Sequence, residues 1–200
     1  MMVEFFFDCS SPWTYLGFDS MERLQDQTGV EVDWRPILVG GVFNAINESV
    51  YEQRSNPVPA KLAYARKDLQ DWARRQGLTI GHPTIFPVNS ARAMRACIAA
   101  GLSGQLPIFA RAVFDAYWNR DEDISQPAVL AAIADRVKLD AHDLLSRADS
   151  EAIRTMLRSN TSELIDRGGF GSPTIFLGDD MYFGNDRMVL VRDAIGRRPA

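Results

Sequence analysis

Apolar and polar positions along the chain follow periods that outline most of its elements. Val3 to Phe7 is a short apolar run suited to a buried strand. Behind it, Ser11-Pro12 opens a helix, because proline is tolerated in a first turn where its missing N–H costs nothing. Tyr15, Leu16, Phe18, Met21 and Leu24 then recur near helical spacing over 13–27. Val30, Val32 and Trp34 alternate with polar residues as a second strand would, and Pro36 closes it. The opening therefore predicts a β-α-β unit, which implies a right-handed crossover and parallel strands.

The end of the chain predicts a β-β-α unit. Its strands are 174–177 and 181–183, joined by Gly178-Asp179-Asp180, and a final helix over 186–195 is capped by Asn185. Between the two units, helical spacing covers 61–76, 89–100, 106–118, 126–137, 141–148 and 150–167, with breaks at Gly77, Gly101, Pro107 and Gly168-Gly169. This is an α/β plan: a thioredoxin-like fold with an inserted all-helical subdomain. The expected boundaries are 1–38 and 160–200 for the discontinuous thioredoxin-like domain and 39–159 for the helical insertion.

A length of 200 residues with 46% hydrophobic content supports one well-buried core. The net charge of -4 is spread without blocks, which argues against nucleic-acid or anionic-membrane partners and for a small-molecule ligand. No apolar stretch approaches the roughly 20 residues that span a bilayer, and the first basic residue, Arg23, comes too late for a signal peptide, so a cytoplasmic location is expected. Cys9 and Cys97 form no CxxC and no cluster with His82 or His142, so neither a dithiol centre nor a metal site is expected, and buried unpaired thiols are. Nucleophile-elbow, P-loop and dinucleotide fingerprints are absent.

Three separated pieces would meet at the strand ends: Ser11-Pro12, Ser172-Pro173-Thr174 and Phe183-Gly184-Asn185-Asp186. A helix starting at Pro12 presents free N–H groups and a partial positive charge, a setting that stabilises a thiolate. Serine cannot be that thiolate, but its hydroxyl can donate a hydrogen bond to one brought by a cofactor, besides serving as an ordinary N-cap. A cis Ser172-Pro173 bond would turn the Ser172 N–H and C=O outward to pair with a bound peptide. Asn185-Asp186 reads as a capping pair or as the holder of a γ-glutamyl group, the helix end taking the carboxylate and Asp186 the ammonium. Lys61, with Asn56 before it, is either an ordinary solvated lysine or a partner for a terminal carboxylate. Asn89 and Ser90 are read as caps. Phe114, Tyr117 and Trp118 are read as core or subunit contacts, and the two histidines as surface or capping residues.

The stretches FFFDCSSPWTYL, FGSPTIF and DDMYFGNDR resemble the 2-hydroxychromene-2-carboxylate isomerases, relatives of the kappa-class glutathione transferases, over nearly the whole chain. The resemblance implies a dimeric enzyme that uses glutathione as cofactor and acts on a small aromatic substrate, isomerising it by reversible thiolate addition to trans-o-hydroxybenzylidenepyruvate-type products. It places the active-site serine at Ser11, and Thr14 where disulfide-exchanging relatives carry their second cysteine. Glutathione would be held by Ser11, Asn56 or Lys61, Ser172, Pro173, Phe183, Gly184, Asn185 and Asp186. Some naphthalene-pathway members place a lysine and a tyrosine near the aromatic acid, where this chain has Phe43 and Val88; Arg66, Arg92 and Arg95 are candidate replacements for the cation. The alternatives are a kappa-like transferase conjugating glutathione to small electrophiles, a disulfide oxidoreductase with a degraded motif, and a silent peptide-binding module.

Overall fold

Phe5, Phe6 and Phe7 are all fully buried, which strict alternation on a half-exposed strand would not allow. The reason is that β1 (Met2–Phe7) is central and covered on both faces: Phe5 and Phe7 belong to the main core, and Phe6 to a smaller one with Ile37, Val42, Leu164 and Phe176. The structure, a computed structural model, describes residues 2–197. β1 pairs in parallel with β2 (Glu31–Pro36) through α1 (Pro12–Thr28), and antiparallel with β3 (Thr174–Leu177), which pairs antiparallel with β4 (Asp180–Phe183). The sheet order is β2-β1-β3-β4, so the β-α-β opening and the β-β-α finish share one mixed sheet.

The middle of the chain is helical: α2 (Val39–Ile46), α3 (Ser49–Ser55), α4 (Pro59–Gln76), α5 (Ala91–Gly101), α6 (Leu106–Trp118), α7 (Pro127–Arg136), α8 (Ala141–Ala148) and α9 (Glu151–Asp166). A 3-10 turn (Asn185–Arg187) leads into α10 (Met188–Arg197). Phe114 and Tyr117 are fully buried and Trp118 nearly so, so this trio is core. Phe7, Phe18, Trp34 and Phe114 form one aromatic cluster that joins sheet, α1 and α6, with each large apolar side chain contributing about 1.5–3 kcal/mol by burial. Arg111 of α6 reinforces that seam, pairing with Asp19 at 3.0 Å and with Glu22 of α1. Among the described residues, no helix is long and apolar enough to cross a membrane.

Several expectations change. The α2 and α3 helices fall in a stretch where no helical period is visible. The hairpin loop is Gly178-Asp179 alone, because Asp180 already pairs with Leu177. Asn185 does not cap the last helix: Gly184, at φ +101°, turns the chain so that the Asn185 side chain is buried in the 3-10 turn. Asn89 accepts from the Ala91 N–H as a cap would, but the Ser90 hydroxyl is drawn away to Asp8.

Candidate active site

The end of β1 sets the site. After Phe7 the chain turns at Asp8, whose carbonyl accepts from the Ser11 N–H at 3.2 Å. Ser11 takes an extended conformation (φ −108°, ψ 125°) and its Oγ accepts from the Thr14 N–H at 3.3 Å, so it is the N-cap of α1. That bond uses an oxygen lone pair and leaves the hydroxyl proton available to an acceptor in front of the helix. Pro12 has no N–H and the Thr14 and Tyr15 N–H groups bond Ser11, so among the described residues the Trp13 N–H is the first-turn donor left open, and with the partial positive charge of the helix end it favours an anion there.

Facing Ser11 is the Ser172-Pro173 loop, whose peptide bond is cis. Gly17 of α1 admits this loop: a Cβ there would lie 2.9 Å from Pro173 Cγ. Ser172 Oγ accepts from the Asp8 N–H at 3.0 Å and lies 2.8 Å from Thr14 Oγ1. The side chain is thus spent on structure, while among the described residues the Ser172 backbone N–H and C=O have no partner. Pro173 O accepts from the Gly184 N–H at 3.0 Å, which fixes the Phe183–Asp186 segment to the same loop.

Asp8, which carries no assigned role in the sequence, is the hub of this arrangement. Its carboxylate is fully buried and accepts from the Ser10 N–H (2.9 Å), the Val39 N–H (2.9 Å) and the Ser90 hydroxyl (3.0 Å). It ties the strand end to the starts of α2 and α5. Burial pushes its pKa up, against the pull of these hydrogen bonds. A charged residue closing an apolar strand was the signal available, since a buried carboxylate must find donors.

In front of Ser11 lies a cavity of about 690 Å³. Ser11, Ser172 and Phe183 line it, together with Trp13, Phe43, Arg54, Phe86 and Val88. Pro173 is buried behind Ser172. Asn185 and Asp186 line a neighbouring groove beside α1, with Arg23 and Arg75, and Gly184 connects the two. The structure does not bring Asn56 or Lys61 to either place: both are exposed and line neither, although their neighbours Tyr51 and Arg54 do line the main cavity. A further cavity of about 700 Å³, under α4, is lined by Arg54, Leu62, Arg66, Ile80, His82, Phe86 and Trp118.

Neither cysteine serves this site. Cys9 and Cys97 are both buried and free, and burial followed by its neighbours Cys97 and Asp8 pushes the Cys9 thiol well above its ordinary range. A thiolate is the reactive form, so Cys9 is inert. The helix terminus therefore faces a cavity with a hydroxyl and an open backbone edge, and with no thiol of its own.

The DSBA-like thioredoxin domain family matches residues 2–196. The chain is similar to the 2-hydroxychromene-2-carboxylate isomerase of Pseudomonas putida, at 31% identity over 98% of this chain and 95% of that one. It is 27% identical to the human glutathione S-transferase kappa 1, over 98% and 91% of the two chains. A solved 2-hydroxychromene-2-carboxylate isomerase superimposes with a TM-score of 0.85 at 29% identity, covering 98% of this chain and 95% of the other. With fold, strand-end serine and whole-length similarity in agreement, the chain belongs to the DSBA-like thioredoxin domain family, on the branch of the 2-hydroxychromene-2-carboxylate isomerases and kappa-class glutathione transferases.

Proposed function

We propose that this protein is a glutathione-dependent isomerase of 2-hydroxychromene-2-carboxylate-type aromatic acids, forming trans-o-hydroxybenzylidenepyruvate-type products. The observation that carries the reading is the pairing of Ser11, a hydroxyl at a helix N-terminus, with the backbone of Ser172, unpartnered among the described residues, across a cavity that holds no thiol of the protein. The names of the relatives, an isomerase and a glutathione transferase, support it.

The residues present fit the tripeptide. The Ser172 N–H and C=O match the backbone of a cysteinyl residue laid antiparallel against them. Beyond the Gly184 turn, among the described residues the amide nitrogen of buried Asn185 has no hydrogen-bond partner, and Asp186 is exposed at the start of the last helical segment, paired with Arg187 at 2.7 Å by one oxygen. Those two groups supply a donor for a γ-glutamyl carboxylate and an acceptor for its ammonium.

The chemistry supplied by bound glutathione is reversible addition of its thiolate to a conjugated enone, which makes a double bond rotatable until the sulfur is expelled. The protein's part is to keep that sulfur ionised and the substrate dry. An unperturbed thiol titrates near a pKa of roughly 8.5, so at neutral pH most of it would be unreactive. The Ser11 hydroxyl donates to the anion while the Trp13 N–H and the dipole of α1 add their field, all favouring the charged form. Trp13, Phe43, Phe86 and Val88 wall the cavity with apolar surface, which strengthens these interactions by excluding water.

Calorimetric titration with reduced glutathione at pH 7 should show saturable binding whose heat depends on the buffer, reporting release of the thiol proton. S-Methylglutathione, which has no such proton, should bind without buffer dependence. Absence of glutathione binding contradicts the proposal, and binding without proton release removes the thiolate from it.

A further inference from the structure

Among the described residues, Arg54 is the one charged side chain that lines the main cavity. It also lines the adjoining cavity under α4, so it stands in the wall shared by both, together with Pro12, Phe86 and Pro87. Its guanidinium carbon lies over two rings, 5.4 Å from the centroid of Phe43 and 5.8 Å from that of Phe86. Among the described residues no carboxylate pairs with it, and no acidic residue lines either cavity. A guanidinium held near ring faces without an ion-pair partner keeps its N–H fork available to a carboxylate, which it can receive in bidentate fashion.

The other cations are committed or elsewhere. Arg92 and Arg95 pair with Asp149, at 3.3 and 3.0 Å. Lys61 is exposed and lines neither cavity, and Arg66 lines only the one under α4. Ser11 and Ser172 offer the cavity hydroxyl and backbone groups, whereas Arg54 offers a cation beside flat apolar rings. An aromatic acid has the matching pair of features, a ring for the Phe43 and Phe86 faces and an anion for the fork.

We propose that Arg54 binds the carboxylate of the aromatic acid substrate and sets the enzyme's selectivity for acids over neutral aromatics; this rests on the reading of the site given under Proposed function. The fork would hold the acid while the ring lies against Phe43 and Phe86, which presents the conjugated side of the molecule toward Ser11.

The test uses chromone-2-carboxylate and its neutral carboxamide as stable probes, titrated calorimetrically into the glutathione-saturated protein. The wild type should prefer the acid by ~10-fold or more, and Arg54→Met should weaken the acid by ~10- to 100-fold while moving the carboxamide and glutathione by no more than ~2-fold. Arg54→Lys should recover part of the loss, since a point charge replaces the fork. An Arg54→Met variant that still prefers the acid overturns the proposal, as does a wild type with no preference. If Arg54→Met weakens glutathione as much as the acid, Arg54 holds the tripeptide and the proposal falls while the isomerase reading stands. Failure of the wild type to bind glutathione at all, measured before either probe is added, overturns both.

Discussion

Replacing Ser11 with alanine should lower turnover by about 10- to 100-fold at neutral pH, because a hydrogen bond to a charged partner contributes about 1.5–3 kcal/mol. The same substitution removes the acceptor of the Thr14 N–H and should cost about 1 kcal/mol of stability as a lost N-cap. Two further variants separate these effects. Ser11→Thr keeps both hydroxyl roles and should stay active. Ser11→Asp keeps the capping acceptor, and with it the stability, but sets a carboxylate beside the bound sulfur and should raise the thiol pKa. Its turnover should fall at least as far as that of the alanine variant. Titration of thiolate absorbance with glutathione bound, alongside thermal melts, reads both quantities. An alanine variant with full activity, or an active aspartate variant, would remove Ser11 from the chemistry.

The largest stability effect is expected at Asp8, which touches no ligand in this account. Asp8→Ala would leave the Ser10 N–H, the Val39 N–H and the Ser90 hydroxyl without their buried acceptor. Buried unsatisfied groups cost about 1–3 kcal/mol each, so a loss of about 3–5 kcal/mol is expected after partial relaxation. For a domain whose total stability is about 5–15 kcal/mol this approaches unfolding. At this size the melting temperature should drop by about 2–4 °C per kcal/mol. The pH dependence has a defined sign. Burial holds the folded Asp8 carboxyl above the unfolded value of about 3.9, so the folded chain binds the proton more tightly. That contribution is complete below the unfolded pKa and is lost as pH rises through the folded one. Asp8→Asn has no carboxyl proton to lose, so the stability gap between wild type and Asp8→Asn should narrow as pH rises across that window. A urea-melt difference below about 1 kcal/mol for Asp8→Ala would contradict the hub role.

The strands and long helices were legible because burial writes its period into them. Leu106–Trp118 and Ala141–Ala148 match their expected spans residue for residue. The two unexpected helices explain themselves physically. α2 carries Gly40 and Gly41, poor helix formers, and has only Val39 and Val42 buried. α3 has no buried residue at all, so there is no apolar stripe to read. Ser11 and Ser172 were legible from strand-to-helix and loop-to-strand chemistry in their own neighbourhoods. Asn56 and Lys61 were candidates from the helix entrance and from the resemblance, but which side chains of 51–67 turn to a cavity is a tertiary property that local sequence does not carry: Tyr51 and Arg54 do, Asn56 and Lys61 do not. Arg54 was invisible for the same reason: its significance comes from the rings of Phe43 and Phe86, brought beside it from other segments. Asp8 illustrates the converse. It sits inside the most informative stretch of the chain, yet its three donors come from Ser10, Val39 and Ser90, two of them remote, and only the assembled fold brings them together.

The most direct test of the central claim follows the absorbance of a hydroxychromene carboxylate with the purified protein, with and without substoichiometric glutathione, while free thiol is counted at the end. Accelerated conversion is expected only when glutathione is present, with many turnovers for each glutathione and an unchanged thiol count. Conversion at full rate without glutathione, or loss of one thiol per product, would contradict it, the latter outcome making the protein a transferase.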